Sequence, residues 1–299
     1  MRSQGMIGGW FHGRPFGRFH GRFLDLAGLG RVASGLAVLV LAMTAAAAEP
    51  ADPALLRIVE GPQRAPENVA RDTYRNPAET LRFLGLTPSM TVVEILPGGG
   101  KAYWTEILAP YLRDKGKYVA AIADGEAASD ARKRVNTDFR NKLVNDPQLY
   151  DRAQVNLFGT DRRDIAPPNS ADMVLTFRNL HNWMASGDVE AVLESIHKAL
   201  KPGGILGIEE HRGSPDQPQD PAAKSGYVRE DYAIALIEKA GFRLEAASEV
   251  NANPKDTKDH PGGVWTLPPS YRLGDQDRAK YAEIGESDRF LLRFVKAPK

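Results

Sequence analysis

Short apolar runs alternate with amphipathic segments along most of the chain after residue 90. The apolar runs have the length of strands, and they cover residues 91–96, 117–122, 155–157, 173–177, 205–209 and 242–250, the first of which is rich in β-branched residues. The amphipathic segments have apolar residues at helical spacing and cover residues 103–112, 127–145, 189–200 and 229–240. This alternation predicts an α/β fold in which helices cover both faces of a mostly parallel sheet.

The segments before and after these alternating strands and helices do not follow the same alternation. No helical pattern separates residues 242–250 from a final apolar run at 289–295, so we expect the last strand to be antiparallel. Residues 49–90 begin with a Pro/Ala-rich linker and continue with short helical patterns, which predict an N-terminal helical cap on the main domain, residues 91–299. Within this cap, the polar segment 70–77 is either solvated surface or a lid over a ligand.

The first 48 residues have a composition of their own. Residues 1–48 contain five arginines and one acid, Asp25, and end in the Ala-rich apolar run 32–48. A basic start, an apolar run and small residues at its end are typical of a secretory signal peptide, here with cleavage near Ala48. An uncleaved N-terminal membrane anchor is the alternative. We expect a periplasmic or secreted protein, and the absence of cysteine excludes disulfides.

The charge balance argues against a nucleic-acid partner. The chain of 299 residues has 39 basic and 38 acidic side chains, but the five arginines and one acid of residues 1–48 account for the apparent excess of bases. The remainder has more acids than bases, which is unlike a nucleic-acid-binding protein. We expect a small-molecule partner, and no membrane contact beyond the N-terminal segment; the sequence leaves the oligomeric state open.

The first predicted strand ends in a glycine turn. Residues 97–100 read Pro-Gly-Gly-Gly and precede a helical pattern. A strand, a glycine turn and a helix form a cofactor cradle, because backbone without Cβ atoms lets a ligand approach closely. In the dinucleotide motif the third glycine would fall on Tyr103, whose bulk argues against NAD or FAD. Lys101 lacks the spacing and the Ser/Thr partner of a phosphate-binding loop.

The residues around this turn resemble a known family. Residues 94–100, Glu-Ile-Leu-Pro-Gly-Gly-Gly, resemble motif I of the class I S-adenosylmethionine-dependent methyltransferases, with Leu96 in place of the first glycine. Further segments at 170–175, 200–204 and 239–243 resemble the family's fourth strand, its Leu-Lys-Pro-Gly-Gly turn and a late helix-to-strand turn. The resemblance covers about residues 90–299 and implies a Rossmann-like class I methyltransferase sheet. More narrowly, the segments 74–80, 179–183 and 259–261 resemble a group of predicted exported bacterial methyltransferases.

The resemblance implies that S-adenosylmethionine is the cofactor and that the glycine turn holds its amino-acid tail. Glu94 would face the ammonium group of the cofactor, while Pro97, Gly98 and Gly100 would let the backbone approach the tail. A buried structural carboxylate is the alternative for Glu94. Because burying a carboxylate without a partner is costly, we favour a ligand partner.

Acids after the second and third strands would bind the rest of the cofactor. For the ribose hydroxyls, Asp124 is our candidate and Glu126 the alternative. For the adenine ring we prefer Asp161 to Asp164. Two residues after the fourth strand, Arg178 and Asn179, complete the candidate cofactor-binding set. Alternatively, Arg178 could, like Arg212, orient an anionic acceptor or simply pair with surface acids.

The candidate catalytic residues follow the fourth and fifth strands, where open α/β sheets place ligands. Methyl transfer is a displacement at the sulfonium carbon and needs a general base only if the acceptor loses a proton. His181 is the candidate base, with Glu210 and His211 behind it. A metal site built from these three residues and His260 has no recognised close spacing, so we expect no metal.

Two functions of different classes follow from these observations. The first is an exported methyltransferase that acts on a small-molecule acceptor. The second is a non-catalytic periplasmic binding protein that retains the fold, since the periplasm is not an obvious source of S-adenosylmethionine and Leu96 replaces a glycine of the cradle. An NAD-dependent oxidoreductase is disfavoured by Tyr103.

Overall fold

The computed structural model describes residues 52–98, 101–124 and 129–297. The predicted signal segment, Gly100 and Glu126 lie outside these residues. In the described part, seven strands form one sheet, and they are β1 (Thr91–Ile95), β2 (Lys117–Ala123), β3 (Gln154–Phe158), β4 (Ala171–Phe177), β5 (Leu200–His211), β6 (Phe242–Ser248) and β7 (Arg289–Lys296).

The strand order in the sheet is β3-β2-β1-β4-β5-β7-β6. Strands β1 to β5 pair in parallel, whereas β7 lies antiparallel between β5 and β6. The mostly parallel sheet with an antiparallel last strand is therefore confirmed. From β1 the chain adds β2 and β3 on one side of the sheet, and from β4 it adds β5 on the other, so the sheet has a topological switch point between β1 and β4.

Helices lie on both faces of the sheet, as predicted. The helices of the described residues are α1 (Pro53–Val59), α2 (Pro66–Val69), α3 (Asp72–Arg75), α4 (Pro77–Leu84), α5 (Thr105–Leu112), α6 (Asp130–Asn145), α7 (Pro147–Tyr150), α8 (Leu180–Ser186), α9 (Val189–Ala199), α10 (Glu230–Lys239) and α11 (Arg278–Ile284). Neighbouring residues of β1 point to opposite faces: Val93 belongs to the core with α8, α9 and α10, and Val92 to the core with α1, α4 and α5.

The four helices before β1 pack against the sheet domain. The side-chain amide of Asn68 on α2 donates to the carbonyl of Lys101, 2.5 Å away, and the hydroxyl of Tyr111 on α5 donates to Asp52 at 2.7 Å. These bonds attach the cap to the segment before α5 and to the end of α5. None of the helices in the described part of the chain has the length and hydrophobicity needed to span a membrane.

The segment between β6 and β7 differs from the sequence-based expectation. It contains a 3-10 helix, Gly263–Thr266, and the helix α11, although the sequence indicated no convincing helix there. In α11 only Tyr281 is buried, so the helix has no apolar stripe that a periodicity argument could detect. This segment covers the carboxyl end of the sheet and contributes residues to the candidate site.

Candidate active site

A cavity of about 350 Å³ opens at the carboxyl ends of β1 and β4, the topological switch point of the sheet. Its walls come from the turn after β1, the segment after β4, helix α3 of the cap, and the segment between β6 and β7. Of the candidate residues, the cavity brings together Glu94, Pro97, Gly98, Arg178, Asn179, His181 and His211. Ligands of open α/β folds bind at this position.

The turn after β1 has the backbone conformation of a glycine cradle. Gly98 has φ +94°, and apart from its chain neighbours no atom of the described residues lies within 4 Å of the position a Cβ would take, so these residues leave open space above its backbone. Leu96, which stands where the family has a glycine, has φ +52° and so adopts the left-handed conformation that glycine favours. Such a conformation costs a non-glycine residue roughly 1–2 kcal/mol. The cradle therefore keeps its shape despite the substitution.

Glu94 lies in the wall of this cavity and is only 1% exposed. Its Oε2 accepts hydrogen bonds from the hydroxyls of Tyr118, at 2.6 Å, and Thr105, at 3.1 Å. Burial raises the pKa of Glu94 from 4.5 to about 7, although both hydrogen bonds act in the opposite direction. A carboxylate that burial destabilises in this way gains free energy from a cationic ligand group.

The two candidate acids after β2 and β3 lie outside the cavity lining. Asp124 directly follows β2; its Oδ2 lies 2.9 Å from Nε of Arg162, while its Oδ1 is buried and has no hydrogen-bond partner within residues 52–98, 101–124 and 129–297. Asp161 is exposed on a separate surface depression, and Asp164 pairs with Lys198 at 2.6 Å. The free acceptor atom of Asp124 suits a hydroxyl donor, whereas nothing around Asp161 distinguishes it from a surface charge.

The residues after β4 connect this strand to β1. The side-chain amide of Asn179 donates to the carbonyl of Ile95 at 3.1 Å. Arg178 has φ +61°, and its backbone N–H donates to the carbonyl of Glu209 on β5. The Arg178 side chain lines the cavity, with Nε 3.9 Å from Oε1 of Glu209. Strained non-glycine conformations at Leu96 and Arg178 on both sides of one cavity are typical of a functional site.

The three candidate catalytic residues form one buried cluster. Nδ1 of His181, on α8, lies 2.9 Å from Oε1 of Glu210, and the His181 backbone N–H donates to Oε2 of the same carboxylate at 3.1 Å. An acceptor at Nδ1 assigns the proton to this nitrogen and leaves Nε2 with a free lone pair. Nδ1 of His211 lies 2.6 Å from the hydroxyl of Ser287. Burial, and then the neighbouring His181, lower the pKa of His211 well below its usual range.

The same cluster has the composition of a metal site. Potential ligand atoms of His181, Glu210 and His211 lie within 4.8 Å of one another. However, both oxygens of Glu210 already accept hydrogen bonds, from His181 and from the backbone N–H of His211. His260, the fourth residue considered, instead has its Nε2 2.9 Å from Oδ1 of Asp256. The hydrogen bonds favour a carboxylate–histidine pair in which Glu210 orients His181.

The cavity wall formed by the α3 segment and the residues before β7 contains two arginines and an acid that the sequence did not reveal as site residues. Arg71 and Arg75 lie at the start and end of the α3 segment, and Glu286 precedes β7. Oε1 of Glu286 lies 2.6 Å from Nε of Arg71, and Oε2 lies 3.2 Å from Nε of Arg75. Burial alone would raise the pKa of Glu286, but the surrounding guanidinium groups hold it at about 2. Only the polar character of segment 70–77 hinted at this wall.

The fold and the cavity can be compared with known proteins. Residues 97–208 match a family described as "Methyltransferase domain". None of the curated proteins matches the chain. Among solved structures, the [4+2]-cyclase SpnF has 16% sequence identity and a TM-score of 0.50, covering 82% of this chain and 92% of its own. At this identity the likeness concerns the fold.

Two other similar structures are described as S-adenosylmethionine-dependent methyltransferases. The one from Aquifex aeolicus has 19% identity and a TM-score of 0.48, covering 81% of this chain and 98% of its own. The one from Mesorhizobium loti has 15% identity and a TM-score of 0.43, with coverages of 73% and 96%. Residues 97–208 thus match a methyltransferase domain, and the sheet has the mostly parallel, Rossmann-like topology of methyltransferases with an antiparallel strand near one edge.

The residues of the site fit the cofactor expected of this family, S-adenosylmethionine. Glu94 offers a buried carboxylate for the ammonium group, and the open space over Gly98 admits the amino-acid tail. The unpartnered Oδ1 of Asp124 offers an acceptor for a ribose hydroxyl. The cofactor would supply an electrophilic methyl group, and the protein residues bind and orient the reactants around it.

Proposed function

We propose that the protein methylates an oxygen or nitrogen atom of a small-molecule acceptor. The observation that carries this proposal is the Glu210–His181 pair, whose histidine lines the same cavity as Glu94 and the glycine turn. The acceptor atom forms a bond to the methyl carbon while the carbon–sulfur bond breaks. Its proton passes to Nε2 of His181, and the carboxylate of Glu210 stabilises the resulting imidazolium.

The remaining cavity residues would hold the reactants in attack geometry and exclude water. Trp104 and Phe177 stack with ring centroids 4.1 Å apart and line the cavity, so one wall is apolar. Aligning donor and acceptor in a poorly solvated site supplies much of the acceleration of such displacements. The neutral state of His211 beside His181 avoids a second positive charge next to the base.

We also propose that the protein acts outside the cytoplasm. The composition of residues 1–48 supports this location: five arginines precede an apolar run that ends in small residues. Cell fractionation and N-terminal sequencing of the purified protein test it. A periplasmic or secreted protein that begins near Glu49 is expected, while a cytoplasmic protein with an intact N-terminus would contradict it.

The test of methyl transfer begins with cofactor binding. Calorimetry of the purified protein should show binding of S-adenosylmethionine and S-adenosylhomocysteine but not of NAD. Transfer of a labelled methyl group to a panel of phenols, alcohols and amines then identifies acceptors. Binding without transfer to any acceptor would favour the non-catalytic binding protein, and failure to bind either sulfur compound would exclude the methyltransferase.

A further inference from the structure

The cavity contains more cationic than anionic side chains. Its charged lining consists of three arginines and a lysine against two carboxylates: Arg71, Arg75, Arg178 and Lys101, and Glu94 and Glu286. S-adenosylmethionine adds a further positive charge, because its sulfonium and ammonium groups outnumber its one carboxylate. The cofactor alone therefore increases the charge imbalance of the cavity.

Among these side chains, Arg75 has the most buried polar atoms without a hydrogen-bond partner in the described residues. It is completely buried, and Nη1 and Nη2 have no hydrogen-bond partner in the described structure. The Tyr103 ring lies 4.6 Å from its Cζ, so the guanidinium is held by a ring face on one side and by its Nε contact to Glu286 on the other. Two parallel unpaired N–H groups form the fork that binds a carboxylate or phosphate in bidentate geometry.

Two neighbouring arginines are also incompletely paired. Nη2 of Arg71 and Nε of Arg178 are buried and have no hydrogen-bond partner among the residues that the structure describes. Glu286 cannot satisfy these groups, because it already contacts Arg71, Arg75 and Arg289. Glu209 is engaged as well: its Oε2 accepts from Asn251 at 2.6 Å, and its Oε1 lies 3.4 Å from Arg289.

The electrostatic environment of Arg75 agrees with this geometry. Burial, and then the charge of Arg178, lower the pKa of Arg75 well below its usual range. Since an arginine side chain remains protonated in proteins, the shift expresses the cost of keeping this cation in place. An anion beside Arg75 and Arg178 would remove that cost.

We propose that Arg75, Arg71 and Arg178 bind an anionic group of the methyl acceptor, a carboxylate or a phosphate. Arg178 and His181 both follow β4 and line the same cavity, so an acceptor anchored at the arginines shares this cavity with the base. The acceptor class is thus an acid that also has a methylatable hydroxyl or amine. This inference rests on the proposed methyl transfer.

Inorganic phosphate is the probe for this anion site. Calorimetry of the protein saturated with S-adenosylhomocysteine should show saturable binding of phosphate at one site. Arg178→Gln, at a partly exposed position, should raise the dissociation constant at least about tenfold, because a charge-assisted hydrogen bond is lost. Arg75→Lys, which keeps the charge but not the fork, should also weaken binding. Arg163→Gln is the control, since Arg163 pairs with Asp188 away from the cavity and should leave phosphate binding unchanged.

A second ligand distinguishes an acceptor site from a site for the cofactor's own carboxylate. 5′-Methylthioadenosine lacks the amino-acid tail of S-adenosylhomocysteine. Phosphate affinity should be similar in both complexes if the arginines serve the acceptor. Phosphate binding that occurs only in the methylthioadenosine complex would overturn the proposal. So would a phosphate affinity that Arg178→Gln leaves unchanged, and so would the absence of saturable phosphate binding. Failure of the protein to bind S-adenosylhomocysteine would instead refute the methyltransferase function, and phosphate titration without cofactor would still report on the anion site.

Discussion

Replacing Glu94 by glutamine should stabilise the protein at alkaline pH while weakening cofactor binding. The pKa of the buried carboxyl is raised from 4.5 in the unfolded chain to about 7 in the folded state. Ionisation of Glu94 therefore opposes folding: the penalty is absent well below pH 4.5, develops between pH 4.5 and 7, and is complete above pH 7. At about 1.4 kcal/mol per pKa unit, its full size is about 3 kcal/mol.

The glutamine variant does not carry this penalty and keeps a side-chain oxygen for Tyr118 and Thr105. Its advantage over the wild type should grow by about 2 to 3 kcal/mol between pH 5 and pH 8. The same substitution should weaken cofactor binding, because glutamine offers no charge to the ammonium group of the cofactor. In the wild type, affinity for S-adenosylmethionine should fall about fivefold from pH 7 to pH 6 as Glu94 becomes protonated.

Urea unfolding at pH 5 and pH 8 measures the stability change, and calorimetry measures cofactor affinity. Glu106→Gln is the matched control, because Glu106 is also completely buried but its carboxylate pairs with Lys142, 2.7 Å away and outside the cavity. That variant should be destabilised at pH 8 and retain its affinity for the cofactor. A Glu94→Gln protein that is less stable than wild type at pH 8 and binds the cofactor normally would show that Glu94 is a structural carboxylate.

Three further substitutions test other parts of the site. His181→Ala should lower the rate of methyl transfer by roughly 10²- to 10⁴-fold with unchanged cofactor affinity in calorimetry, and an unchanged rate across pH would remove its role as a base. Gly98→Ala should cost roughly 1–2 kcal/mol in urea unfolding because of its positive φ, and should weaken cofactor binding; equal stability would contradict the strain argument. Asp124→Asn should weaken cofactor binding, whereas the exposed control Asp164→Asn should not; identical affinities would exclude Asp124 from the ribose site.

Local patterns in the sequence were sufficient for the parts of the site that lie on regular strands. The strand ending at Glu94 and the glycine turn are contiguous in the chain, and His181 and Glu210 each follow an apolar run. Their positions at one edge of the sheet follow from parallel strand pairing alone.

The arginine wall could not be predicted in the same way. Arg75 and Glu286 contact each other across 211 positions of the chain, and neither belongs to a periodic pattern. Arg75 is completely buried although an isolated arginine in a polar segment is ordinarily a surface residue. Its burial depends on Tyr103, the residue whose bulk argued against a dinucleotide cofactor. Tyr103 thus disfavours a dinucleotide cofactor and also contacts the arginine that we propose binds the anion of the acceptor.

The charge of the cofactor should couple to binding of an anion at the arginines. S-adenosylmethionine has one positive charge more than S-adenosylhomocysteine. A sphere with the cavity's volume of about 350 Å³ has a diameter of about 9 Å, which we take as the separation between this charge and a bound anion. At an effective dielectric constant of about 20–40, the attraction is worth about 1–2 kcal/mol, or roughly a five- to twentyfold difference in affinity. Phosphate should therefore bind more tightly to the S-adenosylmethionine complex than to the S-adenosylhomocysteine complex. Equal affinities would place the anion too far from the sulfonium for the arginines to position a methyl acceptor.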